Sequence, residues 1–279
     1  VTTTDWLSLQ DATGPVLVSS YYDLVRLRGK LRRPLALMEP GAGQTYSGAG
    51  ETYAASEDKR GVAAYLAPGP WAASRHRLHH PRTPVHEIGL PLLEDYQQIR
   101  AAFTRTGPPV VAFGWHWDCK LVRETHATWH RWIHQLPRIP YRVLGHGHPR
   151  EMDRLRPEYV ARGIPVAETF REVLEQADVY CVDNSSTAFE ALAVGIPVLL
   201  LNNPDNSWAR SSHGLRFGAP GSLFPQCSDP IRLAGAIETT LQVDMTRQDA
   251  ILDWVYSPRT GGAGAAAAAL LGVLRAGRN

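Results

Sequence analysis

The stretch from Asp178 to Asn202 constrains the fold more than any other part of the chain, because it carries a complete strand–turn–helix–turn–strand pattern. Val179–Val182 and Val198–Leu201 are short apolar runs, as expected for parallel strands that are buried on both faces. Gly195 and Pro197 predict that the intervening helix ends just before the second strand. The pattern therefore predicts an α/β fold.

The polar residues of this unit predict a ligand site. Thr187 and Glu190 have the spacing of a capping box, so a helix is expected to begin there, directly after Asp183, Ser185 and Ser186. Ligands of open parallel sheets gather at the carboxyl ends of the strands, and the amino terminus of a helix favours a phosphate group. Glu190 can accept hydrogen bonds from a ribose diol. The alternative is that the serines only form the turn and Glu190 only caps the helix.

Two segments of this unit resemble known families. The run Ser186–Pro197 resembles the donor-site signature of nucleotide-sugar glycosyltransferases of the GT-B architecture. The preceding Asp183–Ser186 resembles, more narrowly, the Asp-Tyr-Ser-Ser segment of the CDP-glycerol glycerophosphotransferases, which polymerise teichoic acids, although Asn184 replaces the tyrosine. The resemblance implies two Rossmann-like domains and a metal-independent transfer from a nucleotide-diphosphate donor.

A glycine-rich segment follows an early predicted strand, Pro34–Met38, and resembles the acceptor-side loop of the same family through Glu39, Gly41, Gly43 and Gln44. That family carries a histidine base where this chain has Pro40, which cannot accept a proton. Glu39 is the nearest alternative base. A solvated carboxylate in a turn is the other interpretation.

The segment after the predicted strand Val110–Phe113 corresponds to the loop that such transferases place over the donor diphosphate. Gly114 begins it, and Trp115 or Trp117 can stack on a nucleotide base. Aromatic residues of the core or of an interface are the alternative.

The next predicted strand ends before Gly145, and the pair His148-Pro149 resembles the His-Pro of the glycerophosphotransferases, whose histidine contacts the donor diphosphate. His148 is therefore a candidate to neutralise the leaving group, and Arg150 can add a charge-assisted hydrogen bond. His146 and His148 could instead form the two-histidine arm of a metal site, which would need Asp183 or further ligands. We expect the phosphate role and no metal.

Strand and helix patterns alternate through the chain, so we predict two Rossmann-like domains whose parallel sheets face a cleft. Thr106-Gly107-Pro108-Pro109 ends a helix and precedes a new strand. We therefore assign residues 1–106 to an acceptor-side domain and residues 107–279 to a donor-binding domain, with a terminal helix that can cross back to the first.

Composition restricts the classes of partner and location. Twenty-nine basic and 27 acidic residues give a formal net charge of +2, which does not favour binding of nucleic acid through charge alone. The three cysteines, Cys119, Cys181 and Cys227, are far apart and odd in number, as expected in a reducing, cytoplasmic environment. We expect no resident cofactor. The resemblance allows for a peripheral contact with a membrane.

Three functions remain open. The first is transfer of a glycosyl or glycerophosphoryl group from a UDP, CDP or GDP donor, which the sequence does not distinguish, to a hydroxyl of a polyol phosphate, a glycan or a protein. Here His148, Ser185, Ser186 and Thr187 would hold the diphosphate, and Glu190 the ribose. The second is epimerisation of a UDP-sugar at C2 on the same architecture, and the third is a non-catalytic nucleotide-binding or assembly role, which Pro40 would explain.

Overall fold

The computed structural model describes residues 14–31, 33–39, 41, 59–105, 107–117, 128–183, 185–202 and 224–276. The strands in these ranges are Val16–Val18 (β1), Leu35–Met38 (β2), Ala64–Ala67 (β3), Val85–Glu87 (β4), Val110–Gly114 (β5), Arg142–Gly145 (β6), Val179–Val182 (β7), Val198–Leu201 (β8) and Gln226–Cys227 (β9). The α-helices are Tyr21–Leu27 (α1), Pro70–His79 (α2), Leu93–Ala101 (α3), Trp129–Trp132 (α4), Met152–Val160 (α5), Phe170–Leu174 (α6), Thr187–Ala193 (α7), Leu233–Leu241 (α8), Thr246–Val255 (α9) and Gly262–Ala276 (α10). Within the described ranges, no helix combines the length and the apolar character that crossing a lipid bilayer requires.

The chain divides into two compact units, and the first contains the described residues up to Leu93 together with those from Asp253 onward. Its sheet is parallel, with strands in the order β1-β2-β3-β4. On one face, α1 packs through Leu24 and Leu27 onto β1 and β2. On the other face, α10 lies close to the sheet, because its contacting residues are small and a Cβ at Gly262 would lie only 2.8 Å from the carbonyl oxygen of Ile88.

The second unit contains Glu94–Leu252 and a five-stranded parallel sheet in the order β6-β5-β7-β8-β9. The chain enters this sheet at β5, adds β6 on one side, and then continues on the other side with β7. Gly114 ends β5 where only glycine fits, since a Cβ there would lie 2.0 Å from the hydroxyl oxygen of Tyr180 on the neighbouring strand. The predicted fold class, α/β with parallel sheets in two units, is confirmed.

The division between the units differs from the predicted boundary at residues 106 and 107. From Glu94 onward helix α3 belongs to the second unit, where the Tyr96 ring lies 6.0 Å from the Phe170 ring and Arg100 donates a hydrogen bond to the carbonyl of Leu174. Arg105 also forms a 2.7 Å ion pair with Asp178. These partners are distant in sequence, whereas the Gly-Pro signal at the predicted boundary is purely local.

Helix α7 ends as its sequence predicts but does not begin with a capping box. Gly195 has a φ of +77°, its N–H bonds to Leu192, and the N–H of Ile196 bonds to Ala191, which together form a Schellman motif. At the other end the cap residue is Ser186, which makes no side-chain capping bond, and Glu190 is buried. The predicted capping box is therefore wrong, although the helix does start at Thr187.

Candidate functional site

The reversal of strand order at β5 brings together the segments that follow three strands. Phe113 lies opposite Gly145 of β6, and Gly114 lies opposite Val182 of β7, so all three strands end at the same edge of the sheet. In open α/β sheets, ligands bind outside the carboxyl ends of the strands at the point where the strand order reverses. The topology therefore selects residues 115–117, 146–150 and 183–187 as the candidate site.

Asp183 fastens the segment after β7 to the segment after β5. Its carboxylate is buried, and it accepts a 2.9 Å hydrogen bond from the backbone N–H of His116 and a 3.2 Å bond from the hydroxyl of Thr128. Both carboxylate oxygens therefore accept hydrogen bonds from the protein, and the bond from His116 holds the segment after β5 next to the segment after β7. No sequence pattern indicated the His116 contact, because a backbone donor carries no residue-specific signal.

Trp115, which we predicted to stack on a nucleotide base, points into the core. It is 1% exposed, its indole N–H donates a 2.6 Å hydrogen bond to the Tyr159 hydroxyl, and that hydroxyl donates to the carbonyl of His146. A ring enclosed in this way cannot stack on a ligand, which corrects the prediction for Trp115. The accessible aromatic residue of this segment is the partly exposed Trp117.

His148 and Arg150 lie beside Trp117. The His148 ring is 5.9 Å from the Trp117 ring and 6.1 Å from the His116 ring, and the Arg150 guanidinium lies 4.8 Å over the Trp117 ring. The structure thus brings together the two predicted phosphate-binding residues of this loop around the Trp117 ring.

The ionisation of His148 follows from its surroundings. Burial, reinforced by the nearby His116, Arg150 and His146, lowers the pKa of His148 to about 4. The backbone N–H of Arg150 donates a 3.2 Å hydrogen bond to Nδ1, so the proton of the neutral ring is on Nε2. At neutral pH, His148 is therefore an uncharged N–H donor next to a guanidinium cation.

His146 has a different environment from His148. It is buried, burial lowers its pKa, and its Nδ1–H donates a 3.1 Å hydrogen bond to the carbonyl of Ala167. The part of the chain that the structure describes contains no group of three His, Cys, Asp or Glu side chains that could hold a metal ion. The Nδ1 atom of His146 is therefore engaged by a backbone carbonyl, whereas the Nδ1 atom of His148 accepts a hydrogen bond from the N–H of Arg150.

The hydroxyl groups at the start of α7 form a short chain. Thr187 donates a 2.8 Å hydrogen bond to the hydroxyl oxygen of Ser185 and shares a 2.9 Å bond with the Tyr180 hydroxyl. Ser185, Ser186 and Thr187 are all partly exposed. Tyr180 is buried beneath them, so the chain of hydroxyls anchors this turn to β7.

Glu190, which we predicted to bind a ribose, lies under this turn. It is buried, and burial raises its pKa to about 7, although the hydrogen bond from Tyr96 acts in the opposite direction. Sequence reasoning missed Tyr96, because α3 was assigned to the other domain.

The predicted base Glu39 lies in a buried ion cluster of the first unit. Its Oε1 accepts a 2.8 Å hydrogen bond from Lys59 Nζ and another 2.8 Å bond from His76 Nε2, and the His76 ring stacks on Tyr65 at 4.2 Å. Burial alone would raise the pKa of Glu39, but Lys59 and His76 outweigh it and lower the pKa to about 2. A carboxylate this acidic and this enclosed is a poor general base, which corrects the catalytic role predicted for Glu39.

Of the other predicted acceptor-side residues, only Gly41 lies in the part of the chain that the structure describes. Gly41 is buried two positions after Glu39. Pro40, Gly43 and Gln44 lie outside the described residues, as does Asn184 of the donor-side turn.

Comparison by sequence finds no family model and no curated protein that matches the chain. Comparison by structure does find similar proteins. The wall teichoic acid polymerase TagF, in a variant soaked with CDPG, superposes with a TM-score of 0.63 at 13% identity, over 95% of this chain and 73% of the TagF chain. UDP-GlcNAc 2-epimerase of Methanocaldococcus jannaschii, in complex with UDP-GlcNAc and UDP, superposes with a TM-score of 0.58 at 14% identity, over 86% of this chain and 72% of the epimerase.

At these identities the similarity concerns the fold. Both solved structures match most of the chain, so the match includes both parallel sheets and is not confined to one Rossmann-like unit. The resemblance read from the sequence is confirmed at this level: the protein has a GT-B-like glycosyltransferase fold.

Proposed function

We propose that the protein is a transferase that takes a glycosyl or glycerophosphoryl group from a nucleotide-diphosphate donor and moves it to a hydroxyl acceptor without a metal ion. The observation that supports this proposal is that the segment with His148 and Arg150 follows β6 and the segment with Ser185 follows β7, and that both strands end at the edge of the sheet where the strand order reverses. These groups are hydrogen-bond donors or a cation, as recognition of a diphosphate requires.

The role proposed for each group follows from its charge, its protonation and its exposure. Transfer breaks the bond between the nucleotide leaving group and the transferred group, and negative charge develops on the departing phosphate. The Nε2–H of neutral His148 and the guanidinium of Arg150 would stabilise that charge, and the partly exposed serine hydroxyls would donate to the same phosphate oxygens. Trp117 would cover the base or the diphosphate.

Nucleotide binding is the first test. Isothermal titration calorimetry with UDP, CDP and GDP, in the presence of a chelator, should give binding by at least one of them. Absence of binding by all three at millimolar concentration would contradict the proposal.

We expect the change His148→Ala to lower turnover about 100-fold or more, because one positioned donor at a developing charge contributes on that scale. The change should leave the melting temperature nearly unaltered, since His148 is only partly buried. His134→Ala, at an exposed histidine of the same unit, is the matched control and should retain full turnover. Equal turnover in both variants would remove His148 from the mechanism.

We expect nucleotide binding to be coupled to uptake of a proton. The free protein has a His148 pKa of about 4, and an adjacent diphosphate raises it, because an anion favours the imidazolium form. Affinity should therefore be highest at acidic pH and should decrease as the pH rises through the His148 pKa of the complex. Calorimetry in buffers of different ionisation enthalpy measures the uptake directly, and His148→Ala should abolish it.

Two assays on the same protein test the two alternative functions. Incubation with UDP-N-acetylglucosamine and analysis for an epimer at C2 tests the epimerase hypothesis. Tight nucleotide binding without donor consumption in the presence of polyol phosphates, glycans or proteins would instead favour a non-catalytic binding protein.

A further inference from the structure

A cavity lies in the second unit, at the edge of the sheet opposite to the candidate nucleotide site. Its volume is about 210 Å³, and its walls include Val110 and Arg142, which begin β5 and β6, and Asp178, which directly precedes β7. Val110 lies opposite Arg142 in the register of the two strands, so the cavity lies at their amino ends. The candidate nucleotide site lies at the carboxyl ends of the same strands, about 13 Å away along β5.

One arginine of the cavity wall is held in place by a buried carboxylate. The side chain of Asp178 is only 2% exposed, and its Oδ1 atom lies 2.7 Å from both Nε and Nη2 of Arg105. The Oδ2 atom of Asp178 accepts a 2.9 Å hydrogen bond from the N–H of Val110. Both oxygens of the carboxylate are therefore engaged, whereas the side chain of Arg105 remains 53% exposed.

A second arginine of the cavity wall has no partner in the part of the chain that the structure describes. The exposed guanidinium group of Arg142 forms neither a hydrogen bond nor an ion pair with those residues. Glu175, the other carboxylate of the wall, lies 2.9 Å from Arg171 and is paired with it. The charge of Arg142 is therefore not offset by the carboxylates of the cavity.

The surroundings of the cavity add to this excess of positive charge. The guanidinium group of Arg100 lies 3.8 Å over the ring of Phe103, which lines the cavity, and it donates a hydrogen bond to the neutral carbonyl of Leu174. Thr104 contributes a hydroxyl group to the same wall. Uncompensated guanidinium groups next to a hydrogen-bond donor favour the binding of an anion.

We propose that this cavity binds a phosphate group between Arg105 and Arg142, either as free phosphate or as the monoester of a small alcohol. A guanidinium group matches phosphate oxygens with two parallel N–H donors, and two such groups match the two charges of the anion. Because Asp178 already fixes Arg105, binding does not have to order that side chain. This inference is independent of the proposed function.

The size of the cavity agrees with a small ligand. Its volume is several times the share of roughly 30 Å³ that one water molecule occupies in the liquid, so a group of several heavy atoms fits. The volume is below the range of roughly 300–1,000 Å³ that is usual for larger ligands, which a whole nucleotide would need.

Amide NMR spectra of the isotope-labelled full chain, titrated with inorganic phosphate at about pH 8 and constant ionic strength, test the proposal, because phosphate is then mainly a dianion. We expect the signals of Thr104, Arg105, Arg142 and Gln176 to shift together with one affinity. Arg142→Met should weaken that affinity about tenfold or more, because it removes a charge-assisted contact and disturbs no protein partner. Arg138→Met, at an exposed arginine of the same unit, should leave the affinity unchanged.

Two comparisons identify the ligand and the place where it binds. Acetate, which carries one charge, should bind the cavity about tenfold more weakly than phosphate. Phenyl phosphate distinguishes the two sources: tighter binding than inorganic phosphate assigns the cavity to a monoester, and weaker binding assigns it to the free anion. Arg150→Met should weaken any phosphate binding near His148 and leave the shifts at the cavity unaltered.

Three results would overturn the inference: no shift at the cavity, equal affinity in the wild type and Arg142→Met, or acetate binding as tight as that of phosphate. None of them bears on the nucleotide site at the other end of the strands. Conversely, a protein that binds no nucleotide but shows the expected shifts at the cavity would contradict the proposed function and leave the phosphate site standing.

Discussion

Replacing Lys59 with methionine is expected to lower the free energy of unfolding by about 3–5 kcal/mol at neutral pH, because it leaves the Glu39 carboxylate buried without its cation. Lys59 is 0% exposed, and its Nζ lies 2.8 Å from Glu39 Oε1. His76, which shares the same carboxylate oxygen, is neutral at this pH because burial lowers its pKa, so it does not replace the lost charge.

The loss of stability in Lys59→Met should depend on pH, in a direction that follows from the pKa of Glu39. In the native protein the pKa of Glu39 is about 2, below its ordinary value, so its contribution to stability is present above the unfolded pKa and is lost as the pH falls towards 2. In Lys59→Met, burial without the lysine raises the pKa of Glu39. The difference in the free energy of unfolding between the wild type and Lys59→Met should therefore be largest near neutral pH. It should become smaller in acid, where the folded variant accommodates a protonated Glu39.

Urea unfolding of the single and double variants measures the effect. Lys59→Met/Glu39→Gln should recover a large part of the lost stability, because neither charge is then buried alone. Lys30→Met, at an exposed lysine, should change the free energy of unfolding by less than about 0.5 kcal/mol. A Lys59→Met protein as stable as the wild type at neutral pH would mean that the cluster is not a paired, buried unit.

The change Asp183→Ala is expected to lower the free energy of unfolding by about 2–4 kcal/mol, because the backbone N–H of His116 and the hydroxyl of Thr128 both lose their acceptor. The segment after β5 is then no longer fastened to the segment after β7. Nucleotide affinity should therefore fall by about tenfold or more.

Asp183→Asn tests the cause of this effect. Its amide oxygen can still accept one of the two hydrogen bonds, so both stability and affinity should lie between those of the wild type and those of Asp183→Ala. Asp153→Ala, at an exposed aspartate of the same unit, should change stability by less than about 1 kcal/mol and leave affinity unchanged. Loss of stability in Asp183→Ala without loss of affinity would mean that the fastened segment takes no part in binding.

Features with a local signature were predicted well. The strands β7 and β8 occupy the apolar runs Val179–Val182 and Val198–Leu201, and Gly195 ends α7 with a positive φ. Each of these depends on neighbouring residues, either through burial of a short apolar run or through a backbone conformation that glycine adopts readily. The resemblance of this unit to a known donor-site signature implied the GT-B architecture, and the alternation of strands and helices predicted the parallel sheets.

Features that depend on distant partners were not predicted. The capping box is absent because Ser186 is the cap residue and makes no side-chain capping bond, and the packing of α3 against α6 in the second unit had no local signal. Trp115 and Trp117 are equivalent candidates in the sequence, and only the packing of Trp115 against Tyr159 separates them.

The α/β class, most of the alternation of strands and helices and the polar residues at the strand ends can be predicted from the amino-acid pattern, because periodicity and turn chemistry act over a few residues. Only the folded chain shows that β5 lies between β6 and β7, that Lys59 neutralises the Glu39 carboxylate while the neutral His76 bonds to it, and that Trp117 is the partly exposed ring. The physical reason is that burial and ionisation are set by whichever groups the fold brings within a few ångströms, and those groups come from parts of the chain far apart in sequence.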